Sequence, residues 1–192
     1  MHLYSYPEKN HLKNDKSVKL YNILLPLWLI IFLPSYLWLG LIPLNYIIDR
    51  VVLRWSLGDM PDRGLFCRRH TWKLCLIGFM GDIIGAVFMV AALFLTALPG
   101  ALHENTEHPF LDKITYGVGF NPFSNILSLI IVLAAIFLAG LIIYLIDKAL
   151  LKKVGLSLEQ AKKSALRIAL ITAPYLFLFP SSILYEGSEF IL

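Results

Sequence analysis

The sequence predicts an all-α integral membrane protein with three transmembrane helices, preceded by an N-terminal, proline-broken re-entrant hairpin. Three observations predict this class. The chain is 58% hydrophobic with a mean hydropathy of +0.70, whereas an average soluble domain is roughly 45–50% apolar. Its apolar residues are gathered into long blocks instead of being spread at amphipathic spacing. Its basic residues are concentrated in the N-terminal tail and in two of the segments between the blocks.

The three predicted spans are the three longest apolar blocks. Residues 74–98 contain a single charge, Asp82, while 126–146 and 168–185 contain none. A spanning helix needs about 20 apolar residues to cross a hydrocarbon core of ~30 Å. An unbroken helix also satisfies its own backbone groups in lipid. Each block is therefore predicted to cross the membrane once.

The basic residues predict the orientation. The N-terminal tail holds four Lys or Arg, segment 49–73 holds six and segment 147–167 holds six, whereas 99–123 holds only Lys113. Because Lys and Arg accumulate in short cytoplasmic loops, 49–73 and 147–167 are predicted to be cytoplasmic and the C-terminus external. No cleavable signal peptide is visible in the polar first 19 residues. We expect a multi-pass protein of the cell membrane, located in the inner membrane of a bacterium.

Residues 22–48 allow two interpretations. A single crossing would place the four-lysine tail outside, against the charge bias, whereas a re-entrant hairpin keeps both flanks in the cytoplasm. A turn at Pro34-Ser35 fits the hairpin because proline cannot continue a helix. The alternative is four transmembrane helices with a kinked first span, since prolines are tolerated in membrane helices and 27 residues suffice with tilt. The hairpin is favoured by a thin margin.

The sequence contains one membrane domain, with segments predicted as follows. They are a cytoplasmic basic tail (1–21), the hairpin or kinked span (22–48), a basic cytoplasmic interfacial segment (49–73), a span (74–98), an external loop (99–123), a span with a cytoplasmic extension (124–153), a second such span (157–185) and an external tail (186–192).

Several residues predict where helices begin and end. Gly58 and Pro61 should end a short interfacial helix that starts at residue 49. Gly155 should close the next-to-last helix, and Ser157 with Gln160 forms a capping-box pattern for the last one. Pro174 should kink that last helix.

Asp82 is the strongest candidate for a functional side chain. It lies near the middle of its block, where a carboxylate costs ~2.5–3.5 kcal/mol, and intramembrane ionisable residues often serve a function. Gly78 and Gly85 share its helical face, and Gly81 with Gly85 forms a small-xxx-small pair that favours close helix packing. Asp82 is interpreted as a neutral residue in a tight helix contact, with a contact to a partner subunit and proton or cation coupling as alternatives.

Two further clusters are weaker candidates. His103, Glu104, Glu107 and His108 could hold a metal ion weakly, but they match no zincin pattern and lie between prolines, so a polar external loop is favoured.

Cys67, His70 and Cys75 offer the residue types of a membrane cysteine peptidase. Incidental cysteines among basic residues that contact lipid are the favoured interpretation.

The basic cytoplasmic segments predict contact with anionic lipid headgroups, at ~1 kcal/mol per charge near the surface. The residues chosen for this role are Arg50, Arg54, Arg68, Arg69, Lys152 and Lys153. Nucleic-acid binding is not expected, because the sequence shows no separate basic domain that could bind nucleic acid. No nucleotide-binding or serine-triad motif is present, and no cofactor is expected.

Three functions remain open. The first is a non-enzymatic subunit or scaffold of a larger membrane assembly, which suits a small chain with a glycine-lined packing face. The second is a homo-oligomeric proton- or cation-coupled transporter or channel that uses Asp82. The third is a membrane cysteine peptidase-like enzyme. The expected partners are another membrane subunit, or a second copy of this chain, and anionic lipids.

Overall fold

The described part of the chain is built from helices. The computed structural model describes residues 26, 28–29, 36, 38–102 and 109–183. The α-helices are α1 (Trp38–Leu57), α2 (Arg63–Leu102), α3 (Pro109–Gly119), α4 (Ile126–Lys153) and α5 (Leu158–Thr172), and two short 3-10 segments cover Pro122–Ser124 and Tyr175–Leu178. These residues include no β-strand. The predicted all-α class is confirmed.

Four of the helices form a closed ring. Helix α1 packs on α2, α2 on α4, α4 on α5, and α5 returns to α1, while α3 packs on α2 and α4. Helices α2 and α4 run antiparallel, because Gly81 lies beside Ile143 and Gly85 beside Ala135. We call the end that holds the α1–α2 turn (58–62) and the α4–α5 turn (154–157) the basic end, and the opposite end the α3 end.

The bundle has one apolar cluster towards each end. The cluster nearer the basic end joins all four ring helices and includes Leu53, Leu74, Ile143 and Ile168. The cluster nearer the α3 end is formed by residues Trp28, Ala86, Met89, Ile114, Val118, Val132, Ala135, Ile136 and Phe177. The buried side chains of the ring helices also include polar ones, among them Asp49, Ser56, Asp147 and Ser164.

Two described helices are long and apolar enough to cross a membrane. They are Arg63–Pro99, with a mean hydropathy of 2.2, and Ile126–Lys153, with 3.2. In their most apolar windows only 39% and 33% of the residues are buried, so most of these side chains lie on the outside of the bundle, as lipid-facing residues do. Two candidate spans are therefore present, and the predicted count of three or four is not confirmed.

The predicted third span does not form one long helix. Helix α5 ends at Thr172, and Ala173 takes an extended backbone conformation with φ −55° and ψ 149°. The helical region is disfavoured for the residue before a proline, and here Pro174 ends the helix where a kink was predicted. The following residues form a 3-10 segment.

Helix α1 runs across the predicted boundary between segments 22–48 and 49–73. It contains Pro43, which removes only one hydrogen bond near the beginning of the helix. The interfacial helix predicted from residue 49 is thus the second half of a longer helix. The proposed turn at Pro34-Ser35 lies outside the described residues.

The helix ends follow the predicted local chemistry. Gly58 and Gly155 have φ values of +57° and +103°, which glycine adopts without strain. The N–H of Leu156 donates to the carbonyl oxygen of Leu151 at 3.2 Å, which completes the glycine-type end of α4. At the start of α5, the Ser157 hydroxyl accepts from the Gln160 N–H at 3.2 Å. These predicted ends of α1 and α4 and the predicted start of α5 are confirmed.

Candidate carboxylate site inside the helix ring

Gly81 and Gly85 lie on the face of α2 that packs against α4. A Cβ atom placed on Gly81 would lie 3.2 Å from the carbonyl oxygen of Ala139, and one on Gly85 would lie 3.1 Å from the Ala139 Cβ. Two helix backbones approach this closely only where one of them carries a small residue. The two glycines set the spacing of α2 and α4, and the half-buried Asp82 lies next to this contact.

Gly78 lies on the side of α2 that faces α1. A Cβ atom placed on it would lie 3.6 Å from the amide nitrogen of Asn45. Asn45 also makes a side-chain hydrogen bond with Cys75, one turn nearer the basic end of α2. Small residues on α2 therefore admit polar side chains from α1 into the ring.

Two further carboxylates are enclosed by the ring, and the sequence analysis did not select them. Asp49 of α1 is 1% exposed and Asp147 of α4 is 0% exposed. None of their four carboxylate oxygens has a hydrogen-bond partner among the described residues. The Oδ1 atom of Asp82 is also buried without a partner there. Buried polar groups are almost always hydrogen-bonded, so three such carboxylates in one small bundle call for an explanation.

The three carboxylates share one electrostatic environment. The charge of Asp49 acts on both Asp82 and Asp147, and Cys75 experiences the charges of Asp49 and Asp82. These residues come from three different helices of the ring, α1, α2 and α4. We call Asp49, Asp82 and Asp147 the carboxylate cluster.

Burial in apolar surroundings disfavours the charged form of a carboxyl group. For Asp49, whose helix is not one of the two candidate spans, burial raises the pKa from 3.8 to about 7. A carboxyl group that titrates near neutral pH can take up and release a proton under physiological conditions.

The carboxylate cluster is not arranged as a metal site. Among the residues that the structure describes, no three His, Cys, Asp or Glu side chains come close enough together to ligate one metal ion. Multivalent cations need such a set of converging ligands.

Three polar or basic side chains of α4 and α5 make contacts away from Asp82. The hydroxyl of Thr172 donates to a carbonyl oxygen of its own helix at 2.9 Å. The guanidinium carbon of Arg167 lies 4.1 Å from the centre of the Trp55 ring, and the Tyr144 ring faces a lysine ammonium group. Asp82 obtains no counter-charge from these side chains.

The cysteine and histidine candidates lie along one stretch of α2. Cys67 and Cys75 are buried, at 1% and 5% exposure, and both are free thiols. His70 packs on the Phe66 ring, with ring centres 4.6 Å apart, and its buried Nδ1 atom has no hydrogen-bond partner among the described residues. A cysteine nucleophile must be reachable by its substrate, and enclosed thiols do not meet this condition.

The basic residues chosen for lipid contact lie towards the basic end. Arg54, Arg68, Arg69, Lys152 and Lys153 are exposed, and Arg50 is half-buried. The charges of Arg50 and Arg54 reach Cys67 across the α1–α2 contact. The predicted metal ligands His103, Glu104, Glu107 and His108 lie outside the described residues.

A signal for the two missed aspartates is present in the sequence. Asp49 and Ser56 are seven residues apart, so they share a helical face, and both are buried. Asp147 lies four residues from both Ile143 and Leu151, which belong to the apolar cluster. If the helical spacing of buried positions is continued past the ends of the apolar blocks, both aspartates fall on the buried faces of their helices.

No protein-family model, no characterised protein and no solved structure matches this chain. The functional argument therefore rests on the site itself.

Proposed function

We propose that this chain is a small integral membrane protein that binds protons inside its helix ring and passes them across the bilayer, as a proton channel or a proton-coupled transporter. The observation that supports this function is the pair of enclosed aspartates. Asp49 and Asp147 are at most 1% exposed, and their carboxylate oxygens have no hydrogen-bond partner in the described chain.

The alternative function as a subunit of a larger assembly explains these aspartates less well. A cation from a partner subunit could neutralise an acidic side chain on the outside of the bundle. It cannot reach Asp49 or Asp147, because the ring helices of the same chain enclose them. Neutralisation by a proton needs no second chain, and ionisable groups within membrane proteins commonly mark proton pathways.

A proton pathway also suits the size of the ring. The two apolar clusters occupy much of the interior, so the described part of the chain leaves no wide channel for a hydrated ion. Protons can pass along carboxyl groups, hydroxyls and single water molecules. Hydroxyls continue the polar interior towards the basic end, where the buried Ser56 hydroxyl of α1 donates to that of Ser164 in α5 at 2.8 Å.

The proposed placement in the membrane follows the charge bias. The basic end faces the cytoplasm, where its exposed Lys and Arg side chains contact anionic lipid headgroups, and the α3 end and the C-terminus face outwards. Asp49 and Asp147 then lie nearer the cytoplasm and Asp82 lies deeper in the membrane. This order gives the pathway two groups near its inner opening and one near its middle.

Proton flux into liposomes tests the proposal. The purified chain is reconstituted into liposomes that contain a pH-sensitive dye, and a potassium diffusion potential drives proton uptake. We expect uptake faster than in protein-free liposomes. Asp49→Asn, Asp82→Asn and Asp147→Asn should each reduce uptake towards the protein-free level, because an amide cannot carry the proton.

Asp59 and Asp62 provide matched controls, since both are exposed in the α1–α2 turn. Asp59→Asn and Asp62→Asn should leave proton uptake unchanged. Infrared spectra of all variants at pH 5 and pH 9 report protonation directly, through the C=O band of a neutral carboxyl group. Wild-type uptake equal to that of protein-free liposomes, or full uptake in the triple Asn variant of the carboxylate cluster, would contradict the proposed function.

A further inference from the structure

A second site candidate lies near the α3 end, away from the carboxylate cluster. It is an open groove of about 810 Å³ between the last turns of α2, helix α3 and the side chains of Pro26, Trp28 and Leu29. Its volume falls within the range of small-molecule sites in proteins, roughly 300–1,000 Å³. Val90 begins its α2 wall eight residues beyond Asp82, or ~12 Å along the helix. The groove is thus separate from the proposed proton pathway.

The α2 wall of the groove is a continuous apolar stripe. It consists of Val90, Leu93, Phe94, Ala97 and Leu98, which recur at the spacing of one helical face. Phe94 is 71% exposed, so this face is not covered by the rest of the described chain. A ligand that fills the groove must therefore be largely apolar.

The α3 wall adds one negative charge and aromatic rings. Asp112 is the only charged side chain that lines the groove in the described structure. Tyr116 follows four residues later on the same helical face, and its ring centre lies 5.9 Å from that of Phe120. A carboxylate followed by aromatic rings along one face attracts a cation by charge and by cation–π interaction.

Two contacts hold the walls of the groove in place. The Thr115 hydroxyl of α3 donates to the Thr96 hydroxyl of α2 at 2.9 Å, and Thr115 itself lines the groove. At Gly119 an added Cβ would lie 3.9 Å from a methyl carbon of Leu93, so α3 rests closely on α2 there. The groove is therefore largely formed before a ligand binds, which limits the entropic cost of binding.

We propose that this groove binds a hydrophobic organic cation, a compound in which apolar groups surround a single positive charge. The apolar body lies along the α2 stripe, and the charge lies beside Asp112 and Tyr116. An anion of the same shape would be repelled by the Asp112 carboxylate. A neutral molecule would gain no charge–charge attraction from this carboxylate. The groove thus selects by the sign of the charge as well as by apolar area. This inference is independent of the proposed proton pathway.

A pair of ions of the same shape and opposite charge tests the proposal. The chain is placed in nanodiscs of uncharged lipid, and binding of tetraphenylphosphonium and of tetraphenylborate is measured by equilibrium dialysis against empty nanodiscs. We expect saturable binding of one phosphonium ion per chain and no saturable binding of the borate. Asp112→Asn should weaken phosphonium binding about tenfold, as expected when one partly desolvated ion pair is lost.

Two further variants separate charge from shape. Asp62→Asn removes an exposed carboxylate outside the groove and should leave phosphonium binding unchanged. Leu98→Trp fills part of the groove and should abolish binding without removing a charge. Because Asp112 and Leu98 are both exposed, these substitutions should not disturb folding.

Four results would overturn the proposal. They are the absence of saturable phosphonium binding to the wild type, equal binding of both ions, equal losses in Asp112→Asn and Asp62→Asn, and a co-purified lipid that occupies the groove and that phosphonium cannot displace. Native mass spectrometry of the purified chain detects the last of these. None of the measurements depends on proton flux, so failure of this proposal is distinguishable from failure of the proposed function.

Discussion

Asp49 illustrates how burial of one side chain sets a pH dependence. Its pKa is about 7 in the folded chain, because burial disfavours the charged form, and 3.8 is its ordinary value. Between these two values the folded state binds a proton that the unfolded state has released. The free energy of unfolding therefore falls as the pH rises through this window, by up to roughly 1.4 kcal/mol per pH unit.

Replacement of this residue should flatten the pH profile. Asp49→Asn removes the titrating group, so we expect the variant to be more stable than the wild type at pH 8 and similar to it at pH 4. Thermal unfolding in detergent between pH 4 and pH 8 measures the difference. The charge of Asp49 also acts on Asp82 and Asp147, so the slope should become shallower without disappearing. Parallel profiles for wild type and variant would show that Asp49 does not titrate in this window.

The sequence selected one of the three residues in the carboxylate cluster. Asp82 stands alone in a long apolar block, so hydropathy alone makes it visible. Asp49 and Asp147 each precede a basic residue and were assigned to cytoplasmic segments with their neighbours, Arg50 and Lys148. Hydropathy averages over a window and cannot show that one side chain points into a bundle while its neighbour points out. That distinction needs the helical phase, which depends on where the helix begins and what it packs against.

At the scale of elements, the contact between α2 and α4 defines the centre of the bundle. The glycines of α2 face small residues of α4, Ala135 and Ala139. In lipid, helix association depends on close packing because the hydrophobic effect gives little drive between apolar helices. The spacing of α2 and α4 should therefore respond strongly to an added methyl group.

A pair of glycine substitutions tests this dependence. A Cβ atom on Gly81 would lie 2.5 Å from an Ile143 side-chain carbon, so Gly81→Ala should destabilise the bundle by about 1–3 kcal/mol, as overpacking does. A Cβ atom on Gly64, also in α2, would meet nothing within 4 Å. Gly64→Ala should therefore be neutral or stabilise by up to ~1 kcal/mol, the helix-propensity gain. Thermal unfolding in detergent compares them, and equal effects would show that α2 and α4 are not in close contact at Gly81.

The helix ends and the helix lengths were predictable to different degrees. The ends of α1 and α4 depend on glycines with positive φ, and the start of α5 depends on a serine cap, so all three follow from local sequence. The length of α5 does not, because apolar composition continues past Pro174 while the helix ends before it. A proline in a membrane helix either kinks or ends it, and the packing of the neighbouring helices decides which.

At the scale of the whole molecule, both short turns lie at the basic end. The α1–α2 turn and the α4–α5 turn must therefore face the same side of the membrane. Lys113, in α3 at the opposite end, should face the other side. In the proposed orientation, which follows the charge bias, the side of the two turns is the cytoplasmic one.

Single-cysteine labelling tests this topology. The buried Cys67 and Cys75 are first replaced by alanine, and single cysteines are then introduced as Asp62→Cys, Glu159→Cys and Lys113→Cys, at exposed positions. In intact cells an impermeant maleimide should label only the Lys113→Cys variant. The other two should react only after the cells are permeabilised. If Asp62→Cys and Glu159→Cys reacted from opposite sides, the ring arrangement of the helices would be contradicted.

The early end of α5 has a consequence for the surrounding lipid. With 15 residues, α5 is only ~22 Å long, shorter than the ~30 Å hydrocarbon core that α2 and α4 can span. The chain then continues in 3-10 turns, whose backbone groups are less completely paired than those of an α-helix. In the proposed placement in the membrane, the bilayer beside α5 would thin to match this short side, while the side formed by α2 and α4 would keep its full thickness. Such hydrophobic mismatch would let water and headgroups descend furthest on one flank of the protein, which would shorten the distance from bulk water to the interior of the helix ring there.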